Sequence, residues 1–292
     1  MSPAPPRWEL RPGCDGYPPL LAATPRPPDP LYVMGDPSSL EEGFAVVGAR
    51  KATPYGLRCA SWLAGHAARR GVTIVSGAAI GCDQAAQRAA LAAGGNVVSV
   101  LGCGADVDYP SSARDLLAGL RRDGAVVSEQ PWGSPPQRWA FRERNRIIAG
   151  LSRAVLVVEA SLPSGTFSTA DFALDAGRDV LAVPGSIFAP ECRGPNRLIK
   201  QGAYPVTGTD DLDDVLQVVG FENLLPEVRL PDDDGLQATE DGALRALLAD
   251  PMRPDDLATA LRLPVAQILR RVASLEAAGL VHRYPDGRYG PG

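Results

Sequence analysis

Histidine is almost missing: the 292-residue chain holds two, His66 and His282. One falls in a predicted helix and the other near the C-terminus, both away from the predicted strand ends. A Ser-His-Asp or Cys-His nucleophile therefore lacks its base. Lysine is equally scarce, at Lys51 and Lys200, so 27 of the 29 cations are arginine. High-GC coding alone produces such a bias. The five cysteines, Cys14, Cys59, Cys82, Cys103 and Cys192, are odd in number and form no CxxC pair. That pattern excludes a zinc module and a disulfide framework, and leaves buried or incidental thiols. No apolar run approaches the roughly 20 residues of a membrane span. The opening MSPAPPRWELRPG has no apolar core, so it is not a secretory signal, and a cytoplasmic chain without membrane contact is expected. No GxGxxG opens a helix, no acid stands at the ribose-binding distance, and no Walker lysine follows a glycine loop. No cofactor or metal is expected.

What is present is uneven charge. The net charge of -5 conceals a central stretch, residues 44–206, that carries +6, and a connector, residues 207–242, that carries -10. Screening acts over about 8 Å in physiological salt, so the local sign governs what each segment attracts.

The first forty residues are proline-rich (PPRWELRPG, YPPLL, PRPPDP) and read as an extended arm with one strand, LYVMG. Apolar runs then alternate with helical patterns. FAVVG, VTIVS, NVVSVL, AVVSE, AVLVVE and DVLAVP are separated by helices at about 54–70, 82–93, 111–122 and 167–177. Fully apolar strands between helices predict a parallel sheet covered on both faces. The fold class is α/β: an extended, Rossmann-like, doubly wound parallel sheet with a small C-terminal winged-helix domain. The expected divisions are an arm over 1–40, the Rossmann-like domain over 41–206, an acidic linker over 207–237 and the winged helix over 238–292. Within the linker, DDLDDVLQVVG starts a short helix. The tail reads as three short helices and a hairpin with Asp286-Gly287 at its turn.

Ligands of doubly wound sheets bind beyond the carboxyl ends of the strands. There stand GARKATPYG (48–56), SGAAIGCD (76–83), LGCGADVDYP (101–110) and ASLPSGTFSTA (160–170). Glycine lets backbone N–H groups reach a phosphate, and a helix N-terminus adds partial positive charge. Each glycine alone is equally explained as turn chemistry; their agreement at several strand ends is the stronger sign. Asp83 reads as a helix N-cap or as an acid of the crevice. RWAFRERNRIIAG (138–150) gathers Arg138, Arg142, Arg144 and Arg146 with Trp139 and Phe141. Guanidinium forks hold phosphates and rings stack on unpaired bases, so the stretch suits a single strand; it also suits a solvated helix start with its rings in the core.

Together these residues resemble the DprA/Smf family of DNA-processing proteins of natural transformation. VVGARKATPYG, IVSGAAIGCDQAAQRAAL, VLGCGADVDYP, FRERNRIIAGLSRAVLVVEA, SGTFSTADFALDAGRDVLAVPGS and RGPNRLIKQGA match in order, from about Tyr17 onward. The resemblance implies a non-enzymatic single-stranded DNA binder that dimerises, loads RecA and displaces single-strand-binding protein. It implies DNA contacts at Gly48, Ala49 and Arg50 and at Phe141, Arg142, Arg144 and Arg146; Lys51, which follows the first strand directly, and Ser76, Gly77 and Asn145 in the neighbouring stretches are expected with them. Ser164, Gly165, Thr166 and Asn196 complete the set. Two departures stand out. Many members carry a helical domain where about forty residues precede the Rossmann part here, and the usual SGSLITA loop reads SGTFSTA. The alternative is a nucleotide-binding or nucleotide-hydrolysing enzyme of the phosphoribohydrolase-like superfamily, but Thr169 occupies the place of its catalytic glutamate. The winged helix fits a contact with duplex DNA or a partner, or a docking appendage.

Overall fold

The computed structural model describes residues 5–222, 224–226 and 242–290. The chain divides into two units, Met1–Pro226 and Glu227–Gly292. The first holds strands β1 (Arg7–Leu10), β2 (Leu31–Gly35), β3 (Gly43–Val47), β4 (Thr73–Ser76) and β5 (Val97–Val100), then β6 (Ala125–Ser128), β7 (Ser152–Val157), β8 (Asp179–Ala182) and β9 (Tyr204–Pro205). Its helices are α1 (Pro19–Ala22), α2 (Pro54–Arg69), α3 (Cys82–Ala92), α4 (Arg114–Asp123), α5 (Arg138–Glu143), α6 (Asn145–Gly150), α7 (Phe167–Asp175), α8 (Arg193–Lys200) and α9 (Thr209–Val218).

The nine strands form one sheet in the order β1-β2-β6-β5-β4-β3-β7-β8-β9. From β6 to β9 all neighbours are parallel. Successive side chains go to opposite faces, as strand geometry requires. Phe44, Val46, Ile74, Val97 and Leu156 enter the core that also contains Leu63 of α2, Ala86 of α3 and Leu117 of α4. Ala45, Val47, Val75, Val98 and Val155 enter the opposite core, with Ile147 of α6 and Ala170 of α7. Both faces are covered, which is why the central strands are mostly apolar.

The N-terminal segment departs from the extended arm expected of it. β1 and β2 pair antiparallel, Trp8 opposite Val33, and β2 continues the sheet antiparallel to β6, Val33 opposite Val127. Prolines mark this segment's boundaries rather than its ladder, with Pro5 and Pro6 ahead of β1 and Pro18 and Pro19 at the start of α1. Leu31 and Val33 alternate into the core and fix the register.

Much of the stretch expected as acidic linker is folded. Helix α9 buries Leu212, Val215 and Leu216 in the core that α2 serves. Asp213 meets His66 Nε2 at 2.8 Å and Arg70 Nε at 3.3 Å. The acids of α9 are divided: Asp213 faces α2, Asp214 is exposed, and Asp210 and Asp211 lie in the first turn, where carboxylates favour a helix start. Residues 227–237 of the expected linker lie outside the described residues.

The second unit contains α10 (Gly242–Ala249), α11 (Pro254–Leu261), α12 (Val265–Ala277) and the hairpin β10 (His282–Arg283) and β11 (Tyr289–Gly290). Ile268, Val272 and Leu275, on one stripe of α12, pack with Leu247 and Leu257 into a small core. The turn bears Gly287 at φ +83°, as its sequence required. Three helices and a two-stranded wing form the winged helix.

Candidate nucleic-acid interface

After β3 the chain crosses toward β4, whereas β7 lies on the other side of β3. The loops leaving β3 and β7 diverge, and a crevice opens between them at the topological switch point. It is a cleft of about 860 Å³ bordered by residues 47–51 after β3, Ala79 and Asp83 after β4, residues 161–169 after β7, and helix α5.

Most of the predicted residues meet here. Gly48, Ala49, Arg50 and Lys51 form one wall, and Ser164, Gly165 and Thr166 form the other. Phe141, Arg142, Arg144 and Asn145 close the third side. Thr166 Oγ1 donates to the Gly48 carbonyl at 3.2 Å and ties the first two walls together. The N–H groups of Ala49, Arg50, Lys51 and Gly165 have no acceptor among the described residues. Lys51, Arg138 and Arg142 are exposed and have no ion-pair partner among them. Arg50 lies over the Phe141 ring at 5.5 Å, and Tyr109 packs against the same ring at 5.3 Å. Open donors and unpaired guanidinium groups suit an anionic ligand, and the ring offers it a flat apolar face.

The four arginines of the 138–150 stretch have different roles. Arg138 and Arg142 point to solvent at the cleft. Arg144 is only 4% exposed. Its guanidinium donates to the Gly77 carbonyl at 2.7 Å, to the Val100 carbonyl and to Asn145 Oδ1 at 2.9 Å, with Asp83 4.0 Å away. Burial pushes the Asp83 carboxyl up from the usual carboxylate range, opposed by Arg144 and by backbone N–H groups including Gly77. Asp83 thus has an interior role: it accepts from Gly77 N–H at 3.1 Å and anchors the loop after β4. Arg146 turns toward the N-terminal segment, pairs with Glu129 and donates to the Arg26 carbonyl at 2.6 Å.

Three further predicted residues sit off the cleft. Ser76 is buried, and its hydroxyl donates to the Val46 carbonyl at 2.6 Å. Gly77 lies behind the wall, where any Cβ would strike the Arg144 guanidinium, so its glycine is explained by that packing. Asn196 brackets the loop after β8, bonding Gly185 N–H and carbonyl at 3.2 and 2.9 Å. Arg138, from the arginine stretch, and Ser168, from the loop after β7, line the cleft as those stretches suggested, and Asp171 and Glu191 line it without having been singled out. For Arg138 the signal was its spacing of four from Arg142, which puts both on one helix face.

Gly165 contrasts with Gly77. A Cβ there would meet no atom within 4 Å, and its φ lies outside the left-handed region. Gly165→Ala is therefore expected to change folding stability by no more than about 0.5 kcal/mol. It should still weaken single-strand binding, because the methyl group occupies the approach to the open N–H. Thermal denaturation and oligonucleotide titration of the one variant check both parts.

A family model described as DNA recombination-mediator protein A matches residues 10–217, and a DprA winged-helix domain model matches residues 228–287. The chain belongs to this family. Protein Smf of Escherichia coli K12 is 41% identical over 278 residues, covering 93% of this chain and 74% of that protein. DNA processing protein DprA of Bacillus subtilis is 38% identical over 198 residues, 67% of each chain. The crystal structure of DprA from Streptococcus pneumoniae superposes with TM-score 0.68 at 37% identity, over 72% of this chain and 74% of that one. A Helicobacter pylori DprA structure, described for its single-stranded DNA binding mode, gives 0.66 at 28% identity, over 73% and 96%. DprA membership accords with the Rossmann-like sheet and the winged helix. Among the described residues, no helix is long and apolar enough to cross a membrane.

Proposed function

We propose that this chain binds single-stranded DNA without reading its sequence and serves natural transformation and recombination. In this reading it shields an incoming strand, displaces single-strand-binding protein and loads RecA, acting as a homodimer in the cytoplasm. The observation that carries the binding step is the junction of two features at the switch point: unpaired Arg50, Lys51, Arg138 and Arg142, and the open N–H groups of two glycine-bearing loops. The ring of Phe141 between them gives bases a surface. The H. pylori relative's single-stranded DNA binding mode supports the same ligand. The roles with RecA and single-strand-binding protein rest on family membership.

The reading is non-enzymatic. Asp171 and Glu191 are the other carboxylates at the cleft rim, and no histidine lines it among the described residues. Thr169, in the place of the hydrolase glutamate, has no carboxylate to offer.

Fluorescent oligo-dT and duplex of equal length, titrated over a salt series, test the proposal. Single strands are expected to bind much more tightly than duplex, with log K falling by about 0.7 per phosphate contact for each tenfold rise in salt. Equal affinity for both would overturn it. Release of free base from a mononucleotide would establish the hydrolase instead.

A further inference from the structure

Trp139 is 56% exposed. Single exposed apolar residues are ordinary on a protein surface, but this one has a distinctive setting. Its indole N–H donates to Gln137 Oε1 at 2.6 Å, two residues back along the chain. It also sits between Arg138 and Arg142, both exposed and unpaired among the described residues.

Helix geometry defines the arrangement. With 3.6 residues per turn, Arg138 and Arg142 share one face of α5, and Trp139 and Phe141 lie roughly 80° to either side of it. The structure agrees: Arg138, Phe141 and Arg142 line the cleft, and Trp139 does not. The helix therefore presents a ridge of two guanidinium groups with a ring on its inner flank and another on its outer flank. A ring beside a cation is a platform for a base whose phosphate the cation holds.

We infer that Trp139 is a second base-stacking platform, and that a bound single strand leaves the cleft over the Arg138–Arg142 ridge to reach it. The inference rests on the single-strand reading of the cleft and extends it outward. A strand crossing the ridge places its phosphates on the two arginines, one base inward against Phe141 and a later base outward on the indole. The indole contributes contact area and no hydrogen-bond readout, so the added binding is tolerant of sequence.

The test is a length series of oligo-dT on the full chain, wild type against Trp139→Ala and Trp139→Phe. Stacking is worth about 1–3 kcal/mol per base, which is about 5- to 150-fold in affinity. Trp139→Ala should lose a factor in that range on oligomers of about 15 nucleotides and nothing on oligomers of about 3, which fill only the cleft. Trp139→Phe should recover most of the loss. Wild-type tryptophan fluorescence should be quenched by the long oligomer, and Trp139→Phe should remove that quenching although Trp8, Trp62 and Trp132 remain. Unchanged affinity of Trp139→Ala on the long oligomer overturns the inference. So does an equal loss on long and short oligomers, which would show that the ring supports α5 rather than the strand. Failure of the wild type to bind any length would instead remove the single-strand reading beneath it.

Discussion

Arg144→Ala is expected to lower the folding stability of the first unit by about 3–5 kcal/mol, the cost of breaking a buried charge pair from one side. The substitution leaves the Asp83 carboxylate buried beside an empty space. It also removes the donor from the Gly77 and Val100 carbonyls at the ends of β4 and β5. Urea unfolding measures the loss directly, and the melting temperature should fall by about 2–4 °C for each kcal/mol in a unit of this size. Arg144→Lys should be damaging too, because a lysine has no fork to reach both carbonyls and Asn145 together. A loss under about 1 kcal/mol for Arg144→Ala would show that the buried guanidinium does not hold the crevice together.

Arg50→Ala should do the opposite: fold normally and bind poorly. Arg50 is exposed, and its one described side-chain contact is the face of Phe141. A charge-assisted phosphate contact is worth about 1.5–3 kcal/mol, so affinity for oligo-dT should fall about 10- to 150-fold. The loss should be uniform across sequences, and the salt slope should shrink by about 0.7. Adding Arg142→Ala should deepen the loss and take a second contact from the slope. Arg50→Lys keeps the charge but loses the planar fork and the ring contact, and should fall between. Wild-type affinity in the Arg50→Ala, Arg142→Ala double variant would sink the site.

The contrast between these arginines marks how far sequence could go. The strands from β3 to β8 were legible because each is an apolar run bounded by helix signals, and burial on both faces leaves few other uses for such runs. The loops at their ends followed from that order, since switch-point geometry places ligands there. The division within RWAFRERNRIIAG was not legible. Arg142 and Arg144 are two residues apart, so a helix sends them to nearly opposite sides, but only the packed sheet decides which side is interior. The same limit hid the indole of Trp139 and the interior tasks of Ser76 and Asn196. β1 was missed because proline-rich flanks mask a four-residue strand whose partner, β2, stands about twenty residues on.

Arg144, Asn145, Ser168 and Gly165 form a continuous relay: guanidinium to amide oxygen at 2.9 Å, amide to hydroxyl at 2.9 Å, hydroxyl to carbonyl at 2.7 Å. It runs from the ends of β4 and β5 to the loop after β7, joining parts of the chain that are far apart in sequence. The walls of the crevice are therefore cross-braced before any ligand arrives. If the crevice takes a single strand as proposed, its braced loops should need little ordering on association. The heat-capacity change of binding should then reflect the ring and base surface covered, and stay far below that of a segment that folds as it binds.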